Sequence, residues 1–434
     1  MATPKITVIG AGSSGSFIAH DLASRGLDVT IIEKGDIIGG TSGKFHGLLH
    51  SGARYAVNDV KTAKEGMMDN LVISKIAAHA IEDTGGIFAA VEGDDLDYAG
   101  KFVEGCKAAS IPVEEIDPKR LVDEEPFLSK NIIKAFKVPD KVINSFSFIT
   151  SLLLTAKSEG AKTLLNTEVV GFDLENGNVR GVKVKKNGSN TTDIVKSDLV
   201  INASGPWINK VVQGIGINSI NMILSAGTMV VVGRRFTHSV INRLRIPSDG
   251  DIIVPFFGES IIGTTSFIIE DPDKFDIDVD DYDFLVDEGS KLIPTIKNEE
   301  VKRHYAGVRA LLSSSTEKDS GRGATRDFRI FDHESDRVSG IITIGGGKLS
   351  TSRSMAKSVG DFVCRKFGVN ERSKTDAIKL VWPDLDADKI EEISKKTSIS
   401  SSVLKELVSE TSSKTYSDVY SSAKDLVYSR MLFD

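Results

Sequence analysis

The spacing of apolar positions changes period several times along the chain, and each change marks a predicted element. Ile6 to Ile9 is a short β-branched run, which predicts a strand. Gly10-Ala11-Gly12-Ser13-Ser14-Gly15 follows as a turn. Phe17 to Arg25 then reads as a helix, with Ile18 and Leu22 on one face and Gly26 as its C-cap. Val29 to Ile32 is a second strand that ends in Glu33, so the segment predicts one βαβ unit with a right-handed crossover. Further on, Lys61 to Glu82 predicts a long helix with Met67, Leu71 and Ala78 on one side. Phe102, Cys106 and Ala109 repeat at helical spacing in the next. Asp117-Pro118 reads as an N-cap and first turn before Leu121.

The period then shortens to two. Val169 to Leu174, Val179 to Lys185 and Thr191 to Val195 are separated by Asn176-Gly177 and Asn187-Gly188, both hairpin signals, and predict a β-meander. Leu199-Val200-Ile201 returns as an apolar strand that runs into Asn202-Ala203-Ser204-Gly205. From about 215 to 310, short β-rich runs alternate with turns (Met229 to Val232, Ile252 to Val254, Ile261-Ile262), which predicts an antiparallel sheet. Ile341 to Ile344 is again a strand, followed by Gly345-Gly346-Gly347-Lys348 and a helix. The pattern predicts an α/β chain with an α+β insert. Its first domain is discontinuous (1–80, 145–215 and 330–370), a second is built from 81–144 and 216–329, and a helical region occupies 371–434.

Length and composition fit this division. The 434 residues would fill two or three domains of about 100–200 residues each. Forty per cent hydrophobic residues supports a real core. With 54 basic and 61 acidic residues the net charge is −7, which argues against nucleic acid as a partner. Two cysteines, Cys106 and Cys364, cannot by themselves build a metal centre or a disulfide framework. No apolar run approaches the ~18 residues of a membrane span, and Met1 to Pro4 lead at once into the first strand. The expectation is a soluble cytoplasmic protein whose membrane contact, where it has one, is peripheral.

Strand, glycine turn, helix and acidic residue together form a dinucleotide fingerprint. Gly10 permits the tight turn, Gly12 lets the backbone approach a pyrophosphate, and Gly15 allows close helix–strand packing. The helix N-terminus offers N–H groups to the phosphates, and Glu33 accepts from the adenosine ribose. Three later features favour FAD over NAD. They are the small-residue loop Gly39-Gly40-Thr41-Ser42, the strand end Ala203-Ser204-Gly205, and the Gly345-Gly346-Gly347-Lys348 turn before a helix. Contacts scattered over the whole chain suit the longer cofactor.

The run Gly47-Leu48-Leu49-His50-Ser51-Gly52-Ala53-Arg54-Tyr55-Ala56-Val57 resembles the signature of FAD-dependent glycerol-3-phosphate dehydrogenases, above all the large flavin subunit of the anaerobic enzymes. Val240-Ile241-Asn242-Arg243, Pro247-Ser248-Asp249, Gly263-Thr264-Thr265-Ser266, Tyr305-Ala306-Gly307-Val308-Arg309 and Gly346-Gly347-Lys348-Leu349 are similar to it in order, over roughly residues 5–370. The resemblance implies a Rossmann-like FAD domain of the glutathione-reductase/D-amino-acid-oxidase type. It implies non-covalent FAD held by Gly10, Gly12, Ser13, Ser14, Gly15, Glu33, Lys34, Thr41, Ser42, His46, Gly47, Leu48, Val170, Ala203, Gly205, Gly346, Gly347, Lys348, Leu349 and Ser350. It also implies oxidation of glycerol 3-phosphate, with electrons passed to a quinone or a partner protein, and a homodimer placed peripherally on the inner face of the cell membrane. A small membrane-anchoring protein is a further candidate partner. The chain departs from the family in three ways. Its 434 residues hold no cysteine-rich tail like that of the anaerobic subunit, its helical C-terminal region is shorter than in the aerobic enzymes, and Ser225-Ala226-Gly227-Thr228 stands where relatives usually carry a lysine before the glycine.

A substrate phosphate with close to two negative charges needs cationic partners. Arg54, Arg309, Arg326 and Lys348 are the candidates, with Tyr55 as a further hydrogen-bonding group. His50 is the candidate base, and Arg309 or Arg54 a stabiliser of the developing alkoxide. The alternative activity is oxidation of a hydroxy acid or amino acid, for which one arginine clamp suffices. A catalytically silent flavin-binding scaffold is a third reading. Tyr416, Val419, Tyr420, Ala423, Leu426 and Val427 form an apolar stripe at helical spacing, expected either to pack on the chain's own body or to dock a partner.

Overall fold

The computed structural model describes residues 2–312 and 327–382, with residues 391, 395, 400 and 402 beyond them. Arg326 and the stripe from Tyr416 to Val427 lie outside the described residues, as does most of the expected C-terminal helical region. Residues 371–382 hold a turn at 375–377 and no helix.

The first sheet has six strands, ordered Phe328–Asp332, Ile341–Gly346, Leu199–Asn202, Lys5–Ile9, Asp28–Ile32 and Lys162–Leu164. All neighbours are parallel except the pair formed by 328–332 and 341–346. Alternate side chains serve the two faces. Ile6, Val8, Val29, Ile31, Leu199, Ile201, Ile342 and Ile344 pack with the helices Ser13–Ser24, Ser145–Ser158 and Ser352–Phe367. Ile9, Ile32, Val200 and Ile341 pack instead against the three-stranded meander Thr167–Glu175, Asn178–Lys186 and Asp193–Lys196. The sheet is therefore covered on both sides, as its short apolar strands require.

The first helix begins at Ser13 rather than Phe17, so Ser13, Ser14 and Gly15 form its first turn. The predicted helix over Lys61–Glu82 is shorter than expected. It spans Val60–Ile76, and the chain then turns so that Ile81–Glu82 pairs with the strand Lys141–Ile143. Its buried side also differs. Leu71 is 59% exposed, whereas Asp69 and Asn70 are fully buried. Asp69 bonds Arg353, and Asn70 donates to the Leu49 carbonyl at 3.0 Å. The polar pairings outrank hydrophobic periodicity here.

The second sheet has nine strands. Met222–Val232 is central to one end, flanked by Val301–Leu312, Phe267–Ile269 and Glu259–Gly263. Ile252–Phe256, Val240–Arg243, Gly86–Val91, Ile132–Val138 and Glu114–Ile116 continue it. The sheet is antiparallel apart from one parallel pair, 240–243 with 86–91, which joins the two stretches of chain that build it. The helix Asp280–Leu292 packs on one face through Leu285 and Leu292, and the helix Asp97–Ala108 on the other through Phe102 and Cys106. Burial pushes the Cys106 thiol up to about 12, so it is an inert core group.

Candidate active site

A cleft of about 1180 Å³ is lined by residues of both sheets. That exceeds the roughly 300–1,000 Å³ of a small-ligand pocket and leaves room for a dinucleotide beside a substrate.

The glycine turn forms one part of the wall. Gly10 has a φ of +98°, a left-handed conformation that favours glycine. A Cβ on Gly15 would stand 1.8 Å from the Gly10 carbonyl oxygen, so only glycine lets the helix come this close to the strand. Gly12, Ser13 and Ser14 line the cleft, and Gly15 lies just behind it. Glu33 is fixed by two backbone donors, Ala11 N–H to Oε2 at 2.9 Å and Gly35 N–H to Oε1 at 3.0 Å. A carboxylate oxygen has a second lone pair, so each still has capacity for a ribose hydroxyl. Ser42 Oγ accepts from the Ser13 N–H at 3.0 Å, and Thr41 donates to the Val308 carbonyl at 2.6 Å, which ties this loop to the second sheet. Lys34 sits over the Trp207 ring, 4.8 Å from its centroid. Val170, Ala203, Gly205, Gly346, Gly347, Leu349 and Ser350 complete this wall. Close glycine packing, helix-terminal N–H groups and an anchored acid fit the pyrophosphate and ribose of FAD.

Gly47 does not line the cleft. It turns with a φ of +79° against the Phe256 ring and belongs to the supporting wall. Arg326 lies outside the described residues.

The cationic candidates form a second cluster with the histidines. The His50 ring stands edge-on to both His46 and Tyr55, with centroids 5.8 and 5.7 Å away. Lys348 Nζ lies 3.3 Å from the centroid of the Tyr55 ring, a cation–π contact. Arg309 reaches Ser225 and Ser266 through Nη1 at 3.3 and 3.2 Å, and Thr264 Oγ1 and the Thr265 carbonyl through Nη2 at 2.5 and 3.0 Å. A Cβ on Gly227 would overlap the guanidinium, 2.1 Å from Nη2, so the small residue there is what seats Arg309. The departure at Ser225-Ala226-Gly227-Thr228 thus supplies a hydroxyl to an arginine. Arg54 donates from Nη2 to the Ser248 carbonyl at 3.2 Å and to Asp251 at 3.0 Å.

His46 is held in one tautomer by the backbone. Its Nδ1 accepts from the Leu48 N–H at 3.2 Å, which leaves the proton on Nε2. Burial, then the charges of Arg309 and Arg54, lower its pKa to about 3, so it stays neutral.

Sequence reasoning missed the groups behind these side chains. Asp140, fully buried, accepts from the Ser51 N–H at 2.6 Å and from Asn242 Nδ2 at 3.3 Å. Ser248, Thr264 and Ser266 line the cleft. They lie in blocks the resemblance had marked without giving them a role.

Residues 5–359 match the protein family described as FAD dependent oxidoreductase. The A subunit of the anaerobic glycerol-3-phosphate dehydrogenase of Escherichia coli K12 is 40% identical over 375 residues, which span 86% of this chain and 69% of the relative. The corresponding A1 subunit of the Haloferax volcanii enzyme is 37% identical over 384 residues, 86% of this chain and 65% of the relative. Among solved structures, the glycerol-3-phosphate dehydrogenase of Bacillus halodurans, complexed with FAD, superposes with a TM-score of 0.69 at 23% identity, covering 93% of this chain and 75% of that one. At that identity the likeness is one of fold.

Proposed function

The chain belongs to the FAD-dependent oxidoreductase family, and from that premise we propose that it oxidises sn-glycerol 3-phosphate to dihydroxyacetone phosphate. The observation that carries the reading is the convergence of Arg54, Arg309 and Lys348 with His50 and Tyr55 in the same cleft as the glycine fingerprint. When bound, FAD supplies the acceptor for the hydride that leaves the secondary carbinol carbon. Gly10, Gly12, the N-terminus of the Ser13–Ser24 helix and Glu33 would hold it without a covalent bond.

The protein's own groups do the rest. Arg54 and Lys348 receive the phosphate, whose charge a single carboxylate clamp would not match. His50 takes the hydroxyl proton as the carbon–oxygen double bond forms. Arg309, fixed by three hydroxyls and a carbonyl, stabilises the oxygen as it gains negative charge, and its rigidity means no reorganisation at that moment. His46 donates from Nε2 and stays neutral, so it adds no charge to the cleft.

The reading extends to the organisation of the chain. Segments 1–80, 145–215 and 330–370 form the cofactor domain, which also lends His50, Arg54, Tyr55 and Lys348 to the substrate, and 81–144 with 216–329 form the substrate domain, which supplies Arg309. Electrons leave to a quinone or a protein partner. That the relatives are named as single subunits of their enzymes supports a partner protein. No helix among the described residues is long and apolar enough to cross a membrane. We read the chain as a cytoplasmic homodimer docked peripherally on the inner face of the cell membrane, with a small anchoring protein as a further candidate partner.

Dye-coupled turnover of glycerol 3-phosphate against lactate, 2-hydroxyglutarate and glycine tests the substrate. Glycerol 3-phosphate should be preferred by kcat/KM at least ~100-fold, the scale of roughly 2.7 kcal/mol of phosphate recognition. Comparable turnover of a carboxylate substrate contradicts the reading.

A further inference from the structure

Arg54 shows an asymmetry that bears on how it would receive a phosphate. Among the described residues, its hydrogen bonds both run through Nη2, to Ser248 and Asp251. Nε and Nη1 therefore remain as donors for a ligand, and they point from different sides of the guanidinium, so each offers a separate contact.

The carboxylate that grips Nη2 is not in the cleft. Asp251 has no exposed side-chain surface and is absent from the cleft lining. Its Oδ2 accepts from Arg54 at 3.0 Å and from the Ser248 N–H at 2.5 Å, while its Oδ1 accepts from Arg245 Nε at 2.9 Å. Arg245 is shared in turn with Glu288 at 2.9 Å. Glu288 lies 3.7 Å from Arg243, and Arg243 makes two bonds to Asp94 at 2.7 and 2.8 Å. The row Asp94, Glu288, Asp251 thus alternates with Arg243, Arg245, Arg54 and ends, in the cleft, on a cation.

Two consequences follow from that order. Asp251 divides its charge between two arginines, so it orients Arg54 without neutralising it. Losing Asp251 would remove the charged anchor on Nη2 and leave Arg54, a long side chain with several rotors, to sample other positions.

We propose that Asp251 is a positioning residue that acts through Arg54, anchoring Nη2 so that the remaining donors on Nη1 and Nε are set for the substrate phosphate. The proposal rests on the substrate reading above.

The test is a double-mutant cycle of Asp251→Asn and Arg54→Ala on the FAD-loaded protein, with a crystal structure of Asp251→Asn beside it. Asp251→Asn should raise KM for glycerol 3-phosphate about 10-fold, worth roughly 1.4 kcal/mol, with kcat within about 3-fold and FAD content unchanged. In the Arg54→Ala background the same substitution should change KM less than about 2-fold, because Asp251 then has nothing to position. Losses that multiply in the cycle overturn the proposal, since a general structural role would persist without Arg54. The crystal structure is independent of the substrate. Arg54 should have left the Ser248 carbonyl, and an Arg54 unmoved in the variant overturns the proposal whatever the kinetics. A parent protein that ignores glycerol 3-phosphate refutes the substrate reading instead, and leaves the structural arm to decide the role of Asp251. Where Asp251→Asn fails to fold, Asp251→Asn combined with Arg245→Gln removes a carboxylate and a guanidinium together and carries both comparisons.

Discussion

The Asp140 carboxylate accepts a hydrogen bond from the Ser51 N–H at 2.6 Å, directly behind His50. Asp140 is buried, and burial raises its pKa, although the bonds from Ser51 and Asn242 and the charge of Arg54 oppose the shift. One end of the His50–Tyr55 segment is thus fixed through its backbone by an acid that does not line the cleft.

Asp140→Ala should cost roughly 1.5–3 kcal/mol of stability, the range for a lost bond to a charged group, and should slow substrate oxidation while FAD is retained. Asp140→Asn keeps an acceptor and should restore much of the rate. The sign of its pH dependence follows from the raised pKa. The stability Asp140 contributes is greatest below the ordinary value of 3.8 and falls as pH rises through the folded pKa. Asp140→Asn should therefore lose most against the parent in acid and least at pH 7–8. Melting curves at both ends check this, and a loss that is larger at neutral pH contradicts it.

His46 has the opposite linkage. Its pKa falls from 6.5 to about 3 on folding, so the unfolded chain binds a proton that the folded chain refuses. The parent should lose stability as pH drops from about 6.5 toward 3, by a few kcal/mol at most. His46→Gln should flatten that slope. Parallel slopes in urea unfolding across this range would place the lost stability elsewhere.

The first βαβ unit was legible because its signals are local. The glycines, the β-branched strands and Glu33 lie close together, and each has a backbone reason for its place. The cleft cations Arg54, Arg309 and Lys348 were legible only through the block resemblance, since nothing in their spacing separates them from surface charges. Asp140 and Asp251 were not legible, because each acts on a partner far along the chain, 89 positions away at Ser51 and 197 at Arg54. The buried side of Val60–Ile76 escaped the local pattern for a related reason. Asp69 and Asn70 claim it through Arg353 and Leu49, partners that the pattern does not contain.

His50→Asn should slow flavin reduction by about 100- to 10,000-fold, the usual contribution of a general base, and change substrate binding far less. Stopped-flow reduction under anaerobic conditions measures the step directly. A rate within a few-fold of the parent would reduce His50 to a positioning group.

Arg309→Lys keeps the charge and loses the fork that Ser225, Ser266, Thr264 and the Thr265 carbonyl hold. The expected result is a drop in kcat of about 10- to 100-fold at constant FAD content. Arg326→Lys, suggested by the family block alone, should weaken apparent substrate binding by roughly 1.5–3 kcal/mol. Unchanged kinetics in either variant would remove that arginine from the site.

Gly15→Ala would place a methyl 1.8 Å from the Gly10 carbonyl oxygen. The helix and strand must separate, so the protein should be recovered without flavin or with strongly weakened affinity for it. Titration with FAD followed by its fluorescence quenching checks this, and parent-like affinity would contradict the packing role of Gly15.

The visible spectrum of the purified protein, before and after anaerobic addition of glycerol 3-phosphate, tests the central claim most directly. The protein should be yellow, should release FAD on denaturation, and its flavin band should bleach on addition of the substrate. A yellow protein that glycerol 3-phosphate leaves unbleached contradicts the assigned reaction, and a colourless protein that takes up no added FAD contradicts the account at its foundation.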